Sequence, residues 1–113
     1  MEGKEKGDMK KVLVVGSLNM DMVLSVDHHP VPGETIIGDG ITYHPGGKGA
    51  NQAYAVGKLG GDVRIIGCVG WDNNGMILTE NLAQAGVDTT AINRMPEAPT
   101  GMAIIDVDKK GDN

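Results

Sequence analysis

No phenylalanine occurs among the 113 residues, and aromatic side chains amount to 3%: two tyrosines and one tryptophan. A core without large rings has to be built from aliphatic side chains. A single cysteine, Cys68, excludes an internal disulfide framework and a cysteine-based metal site within the chain. No apolar run approaches the roughly 20 residues a membrane helix needs, so no membrane partner is expected. The opening residues MEGKEKGDMK carry charge where a signal peptide would carry an apolar stretch. Residues 1–10 therefore read as a disordered leader before one domain over 11–113, and the cytosol is the expected compartment. Positive charge is also scarce. Ten Lys and Arg against fifteen Asp and Glu leave a net charge of −5. A nucleic-acid binder needs clustered cations, so that partner class is not expected either.

Glycine is abundant, at eighteen residues. So many glycines with so few rings fit poorly with a dense independent core. The last residues, DKKGDN, read as a turn after a strand whose partner does not follow. The expectation is an N-terminal fragment of a longer α/β protein.

Val12–Val15, VLVV, is a continuous apolar run, as in a strand buried on both faces of a parallel sheet. GSLNMD then leaves its C-terminal end, where open α/β sheets bind ligands. Met22–Val26 predicts a second strand. ETIIG and GITYH predict two more around the hairpin signal GDG, so that Met22–His44 forms a small antiparallel block apart from the main sheet. Lys48–Leu59 predicts a helix with a small-residue face at Ala50, Ala53, Gly57 and Gly60. DVRIIGCVG is another buried strand. Gly75–Ala85 is amphipathic, with Met76, Leu78, Leu82 and Ala85 inward, Asp72 or Asn73 capping its start and Gly86 its end. TTAINRM and GMAIIDVD predict two closing strands. Strand and helix in alternation is βαβ logic with a parallel sheet. Trp71 and Cys68 are expected to be structural.

The chemistry concentrates in YHPGGKGANQA, residues 43–53. A P-loop would need a glycine where Thr42 stands and a hydroxyl where Gly49 stands. A dinucleotide fingerprint would need a third glycine where Gln52 stands. What remains is a glycine pair, a cation and an amide at a helix start, where backbone N–H groups are free donors. Lys48 and Asn51 add donors; Asn19 and Asp21, in NMD, add acceptors. Donors facing acceptors suit a polyhydroxylated ligand, because each hydroxyl both gives and takes a hydrogen bond. The plainer alternatives are a solvated Lys48, turn formers at Asn19 and Asp21, and a capping Asn51. His28, His29 and His44 lack a carboxylate or cysteine at ligand spacing, so no metal site is expected.

VVGSLNMD, PGETI and GGKGANQA, in this order, resemble the N-terminal third of ribokinases, within the PfkB family of carbohydrate kinases. The likeness runs from about Lys11 to the end of the chain, and GGKGANQA is specific to the ribokinase branch. It implies a ribokinase-like fold: a parallel central sheet with helices on its faces and a small antiparallel β lid, with lid strands in roughly 21–45 and 100–113. By the same resemblance Asn19, Asp21, Gly47, Lys48 and Asn51 contact the sugar, while Ala103, Ile105 and Val107 roof it. The implied activity is transfer of the γ-phosphate of ATP to the 5-hydroxymethyl of D-ribose, with Mg²⁺ and a monovalent cation such as K⁺. The family's catalytic Asp lies in a C-terminal Gly-Ala-Gly-Asp motif that opens a helix, and its ATP pocket is C-terminal too. Gly60–Asp62, GGD, leads instead into the strand VRIIG. This chain is therefore expected to hold the sugar-binding half, to contain no catalytic residue and to be inactive alone. A homodimer through the lid is expected. Two alternatives stand beside it: a PfkB kinase for fructose, a nucleoside or a sugar acid, and a non-catalytic sugar-binding or dimerisation module.

Overall fold

A computed structural model describes residues 10–113. All of the expected leader except Lys10 lies outside the described residues. The elements run β1 Lys11–Val15, β2 Asn19–Ser25, β3 Gly40–Gly46, α1 Lys48–Lys58, β4 Asp62–Gly70, α2 Asn73–Gln84, β5 Ile92–Met95 and β6 Gly101–Val107. They form two three-stranded sheets, ordered β1-β4-β5 and β3-β2-β6.

The first sheet is parallel throughout, with Val14 beside Ile65 and Gly67 beside Ile92. Period-two alternation sends Val63, Ile65 and Val69 of β4 toward α1 and α2, where all three are buried. The residues between them, Arg64, Ile66 and Cys68, point the other way and are exposed. Within VLVV only Val14 is buried, contrary to the expectation of a strand covered on both faces. The reason is one-sided cover: α1 and α2 lie on one face, and Leu13 and Val15 stand on the other.

The small-residue face of α1 brings it close to β1. Ala53 is fully buried, and a Cβ placed on Gly49 would stand 2.7 Å from the Gly16 Cα. α2 starts on the Asp72 side chain, which accepts the Gly75 N–H at 2.8 Å. Its buried stripe is Gly75, Leu78 and Leu82, continued by Ala85. Met76, expected inward, is exposed, because Gly75 holds that turn of the stripe against the Gly70 carbonyl. Gly86, at φ 90°, ends the helix in the left-handed form, with its N–H on the Ala83 carbonyl. The core is one aliphatic cluster, with Ile65, Leu78, Leu82, Leu18 and Met20 at its centre.

In the small sheet β2 runs antiparallel to β3, from Asn19 opposite Gly46 to Ser25 opposite Gly40. On its other side β2 pairs with β6 in parallel, from Asn19 beside Gly101 to Ser25 beside Val107. Two expectations change. β2 begins at Asn19 and not at Met22, and Glu34–Gly38 is not a strand. The expected hairpin partner of ETIIG is β3, but the segment makes no ladder with it, and the outer edge of β3 is unpaired among the described residues.

Candidate functional site

Asn19 and Asp21 are two residues apart on β2, so both side chains stand on one face of the small sheet. The Asn19 Nδ2 donates to Asp21 Oδ1 at 2.7 Å, which orients the carboxylate and leaves Oδ2 free of that bond. Across the antiparallel pair lies Gly46, where a Cβ would come within 2.5 Å of Asp21 Oδ2. Glycine there lets the carboxylate rest on the β3 backbone. Gly46 was not among the predicted site residues. Its signal was the doubled glycine before Lys48, of which only the second member was singled out.

Gly47 turns the chain from β3 into α1. Its φ of 103° lies in the left-handed region, and a Cβ there would collide with the Ser17 carbonyl. No side chain caps α1, so the first N–H groups of the helix have no acceptor within it. The helix start is tied to the end of β1 by the Ala50 N–H on the Ser17 carbonyl at 3.1 Å. The Gly16–Gly49 approach, the Gly47 turn and the opening of β2 thus meet at one junction between the sheets.

The predicted residues divide there. Asn19, Asp21 and the Gly46–Gly47 turn come together. Lys48 sits at the first position of α1, exposed and without an ion pair among the described residues. Asn51 lies one turn further along and lines a cavity of about 260 Å³ with His44, Tyr54 and Asn81, over Leu78 and Leu82. Neither Asn19 nor Asp21 contributes to that cavity. Strand register puts Ala103 beside Asp21, Ile105 beside Val23 and Val107 beside Ser25, so all three residues share the Asp21 face. Asp62 of GGD opens β4 and not a helix.

Outside this junction, Trp71 is exposed and carries the Arg94 guanidinium 4.6 Å from its ring centre, and Cys68 is a free, exposed thiol. His28 is held between Asp27 and Glu34, at 3.2 and 3.1 Å. Those contacts, Glu34 foremost, raise its pKa above the ordinary histidine value. Among the described residues no three His, Cys, Asp or Glu side chains are grouped to hold a metal ion, and no helix is long and apolar enough to cross a membrane.

A parallel α/β layer joined to a small sheet, with a carboxylate, an amide and a glycine-rich helix start at the junction, defines an α/β domain with a β lid. The chain belongs to the PfkB family of carbohydrate kinases, whose family model matches residues 9–113. It is 46% identical over 106 residues to the ribokinase of Haemophilus influenzae, covering 93% of this chain and 35% of that one. Its structure is similar to the ribokinase of Thermotoga maritima, with a TM-score of 0.83 and 46% identity over 90% of this chain and 34% of that one. It also matches the Arabidopsis thaliana ribokinase complexed with ribose and ATP, with a TM-score of 0.84 and 33% identity over 93% of this chain and 34% of that one. The chain spans about a third of the length of these relatives.

Proposed function

We propose that this chain supplies the sugar-binding part of a ribokinase, an enzyme that moves the γ-phosphoryl group of ATP to the 5-hydroxymethyl of D-ribose. The observation that carries the proposal is the Asn19–Asp21 pair, oriented by its 2.7 Å bond and resting on Gly46 beside the uncapped start of α1. In this role Asp21 accepts from two neighbouring sugar hydroxyls, and Asn19 and the Gly47 turn fix their positions. Lys48 and Asn51 add donors from the first turns of α1, while Ala103 and Ile105 roof the ring from β6. The ribokinase relatives, one solved with ribose and ATP, support ribose as the sugar.

In the transfer the sugar O5 attacks the γ-phosphorus, the bond to the β–γ bridging oxygen breaks, and the O5 proton leaves to a base. The Gly-Ala-Gly-Asp motif that carries that base by the family resemblance does not occur in this sequence, and the Asp of its Gly-Gly-Asp string opens a strand. Nor do the described residues offer a metal-ligand cluster, so no step is assigned to Mg²⁺ or K⁺ on them. Catalysis of phosphoryl transfer is positioning plus electrostatic stabilisation. We therefore assign the base and the nucleotide site to polypeptide beyond these residues, and expect residues 1–113 alone to be inactive. The unpaired outer edges of β3 and β6 suit a homodimer through the lid.

The intact protein should discriminate against 2-deoxyribose. A missing hydroxyl costs one hydrogen bond to a charged group, about 1.5–3 kcal/mol, or roughly 10- to 150-fold in kcat/KM. Equal values for the two sugars would rule out a bidentate Asp21. Asp21→Ala should lower ribose affinity and leave calorimetric binding of a non-hydrolysable ATP analogue unchanged; the reverse pattern contradicts the assignment.

A further inference from the structure

Thr100 is the one buried polar side chain among the described residues. Its hydroxyl accepts the Gly70 N–H at 2.8 Å and donates to Asp72 Oδ1 at 2.6 Å, and its own N–H donates to Asp72 Oδ2 at 2.8 Å. Gly70 ends β4 and Asp72 caps α2, so three bonds fasten one residue to the parallel layer. Two glycines make room for it. A Cβ on Gly70 would stand 2.5 Å from the Thr100 nitrogen, and one on Gly75 3.0 Å from the Thr100 hydroxyl oxygen. The next residue, Gly101, opens β6 beside Asn19.

Among the described residues β6 is an edge strand that pairs with β2 alone. In the chain β3, α1, β4, α2 and β5 lie between the two, so no short turn sets the register of the pair. The apolar pattern does not set it either. Met102 and Ile104 stand on one face and Ala103, Ile105 and Val107 on the other, so a slipped strand still presents apolar residues both ways. A slip of one residue takes Ala103 off the Asp21 face, and a slip of two puts Gly101 or Ile105 beside Asp21 in its place. We infer that Thr100 is a positioning residue for the sugar site: held by Gly70 and Asp72, it fixes the register and reach of β6, so that Ala103 stands beside Asp21. Thr100 acts through β6 and not by touching the sugar. The inference rests on the sugar-site reading proposed above.

The test measures steady-state kinetics of the intact protein, with ribose and ATP varied separately. Thr100→Val keeps the shape of the side chain and removes both hydroxyl bonds. Misplacing a group by about 1 Å can cost up to about 100-fold, so its KM for ribose should rise roughly tenfold or more while its KM for ATP stays within about twofold. Thr100→Ser restores the hydroxyl and should recover the native KM. Ile65→Val or Ile65→Ala, whichever lowers the urea midpoint as far as Thr100→Val does, should leave the ribose KM unchanged, because Ile65 belongs to the aliphatic core. Asp72→Asn keeps one oxygen for the cap of α2 and turns an N–H group toward the Thr100 N–H. It should raise the ribose KM as well, and it decides the matter if circular dichroism shows Thr100→Val unfolded. Asp21→Ala is measured beside them. A raised ribose KM in Asp21→Ala with a native one in folded Thr100→Val overturns the positioning role and leaves the sugar site standing. A native ribose KM in Asp21→Ala overturns the sugar-site reading and the positioning role with it. Equal rises in Thr100→Val and the matched Ile65 variant, or no recovery in Thr100→Ser, reduce Thr100 to general stability and overturn the inference too.

Discussion

The Thr100 hydroxyl is buried and committed twice: it accepts the Gly70 N–H at 2.8 Å and donates to Asp72 Oδ1 at 2.6 Å. Asp72 also accepts the N–H groups of Thr100 and Gly75, so one carboxylate joins the start of α2 to the strand that enters the lid. These bonds, that of the Thr100 hydroxyl first, hold the Asp72 pKa below its ordinary 3.8. A carboxyl depressed in the folded state stabilises it fully above the unfolded value, and that stabilisation is lost as pH falls below 3.8 toward the folded value. Urea midpoints of the native chain should therefore drop as pH falls from about 5 through the lowered folded value, and Asp72→Asn should show a shallower acid limb. Parallel curves for the two proteins would remove Asp72 from the account. The capping role of Asp72 was legible, because a cap and its helix are sequence neighbours. Its partner Thr100 was not, because it lies 28 residues on and only the fold brings it near.

At the scale of elements, β1 and α1 approach as closely as their glycines allow. Gly16 and Gly49 meet backbone to backbone, and an added Cβ at Gly49 would come within 2.7 Å of the Gly16 Cα. Backbone cannot swing aside as a side chain does, so Gly49→Ala must push the helix away from the strand. Overpacking of this kind costs about 1–3 kcal/mol, which urea denaturation should read as a lower midpoint. The same shift moves the Gly47 turn off the junction, so ribose affinity of the intact protein should fall as well. A fully stable variant with native affinity would show that the approach is not tight. The motif GGKGANQA made the helix and its glycine-rich start legible in the sequence. The glycine contact was not, since nothing in VVGS names its partner. The length of β2 escaped for a similar reason: Asn19 and Asp21 look like turn formers until β3 and β6 pair on either side and draw them into a strand. ETIIG carries a strand's residue types but forms no ladder, although the outer edge of β3 beside which its hairpin would have placed it is unpaired among the described residues.

Taken whole, the molecule is spread rather than round. Its radius of gyration is 17.4 Å, against about 13 Å for a compact domain of this length. The alternation of strands and helices foretold the parallel layer. It could not foretell that VLVV would be half covered, because burial depends on what packs above a strand as well as on its own residues. The buried cluster lies between the parallel sheet and the two helices and reaches only the start of β2, through Met20. Further out, Ile41, Tyr43, Met102 and Ile104 of the small sheet are exposed. Local stability follows buried apolar contact, so the two sheets should open independently. In hydrogen exchange of the 113-residue chain, peptides over β3 and β6 should take up deuterium well before those over β4 and α2. A ligand that bridges Asp21 to the start of α1 should slow β3 more than β5. Uniform exchange across both sheets would mean that they open as one unit, and the hinge-like independence of the lid would have to be abandoned.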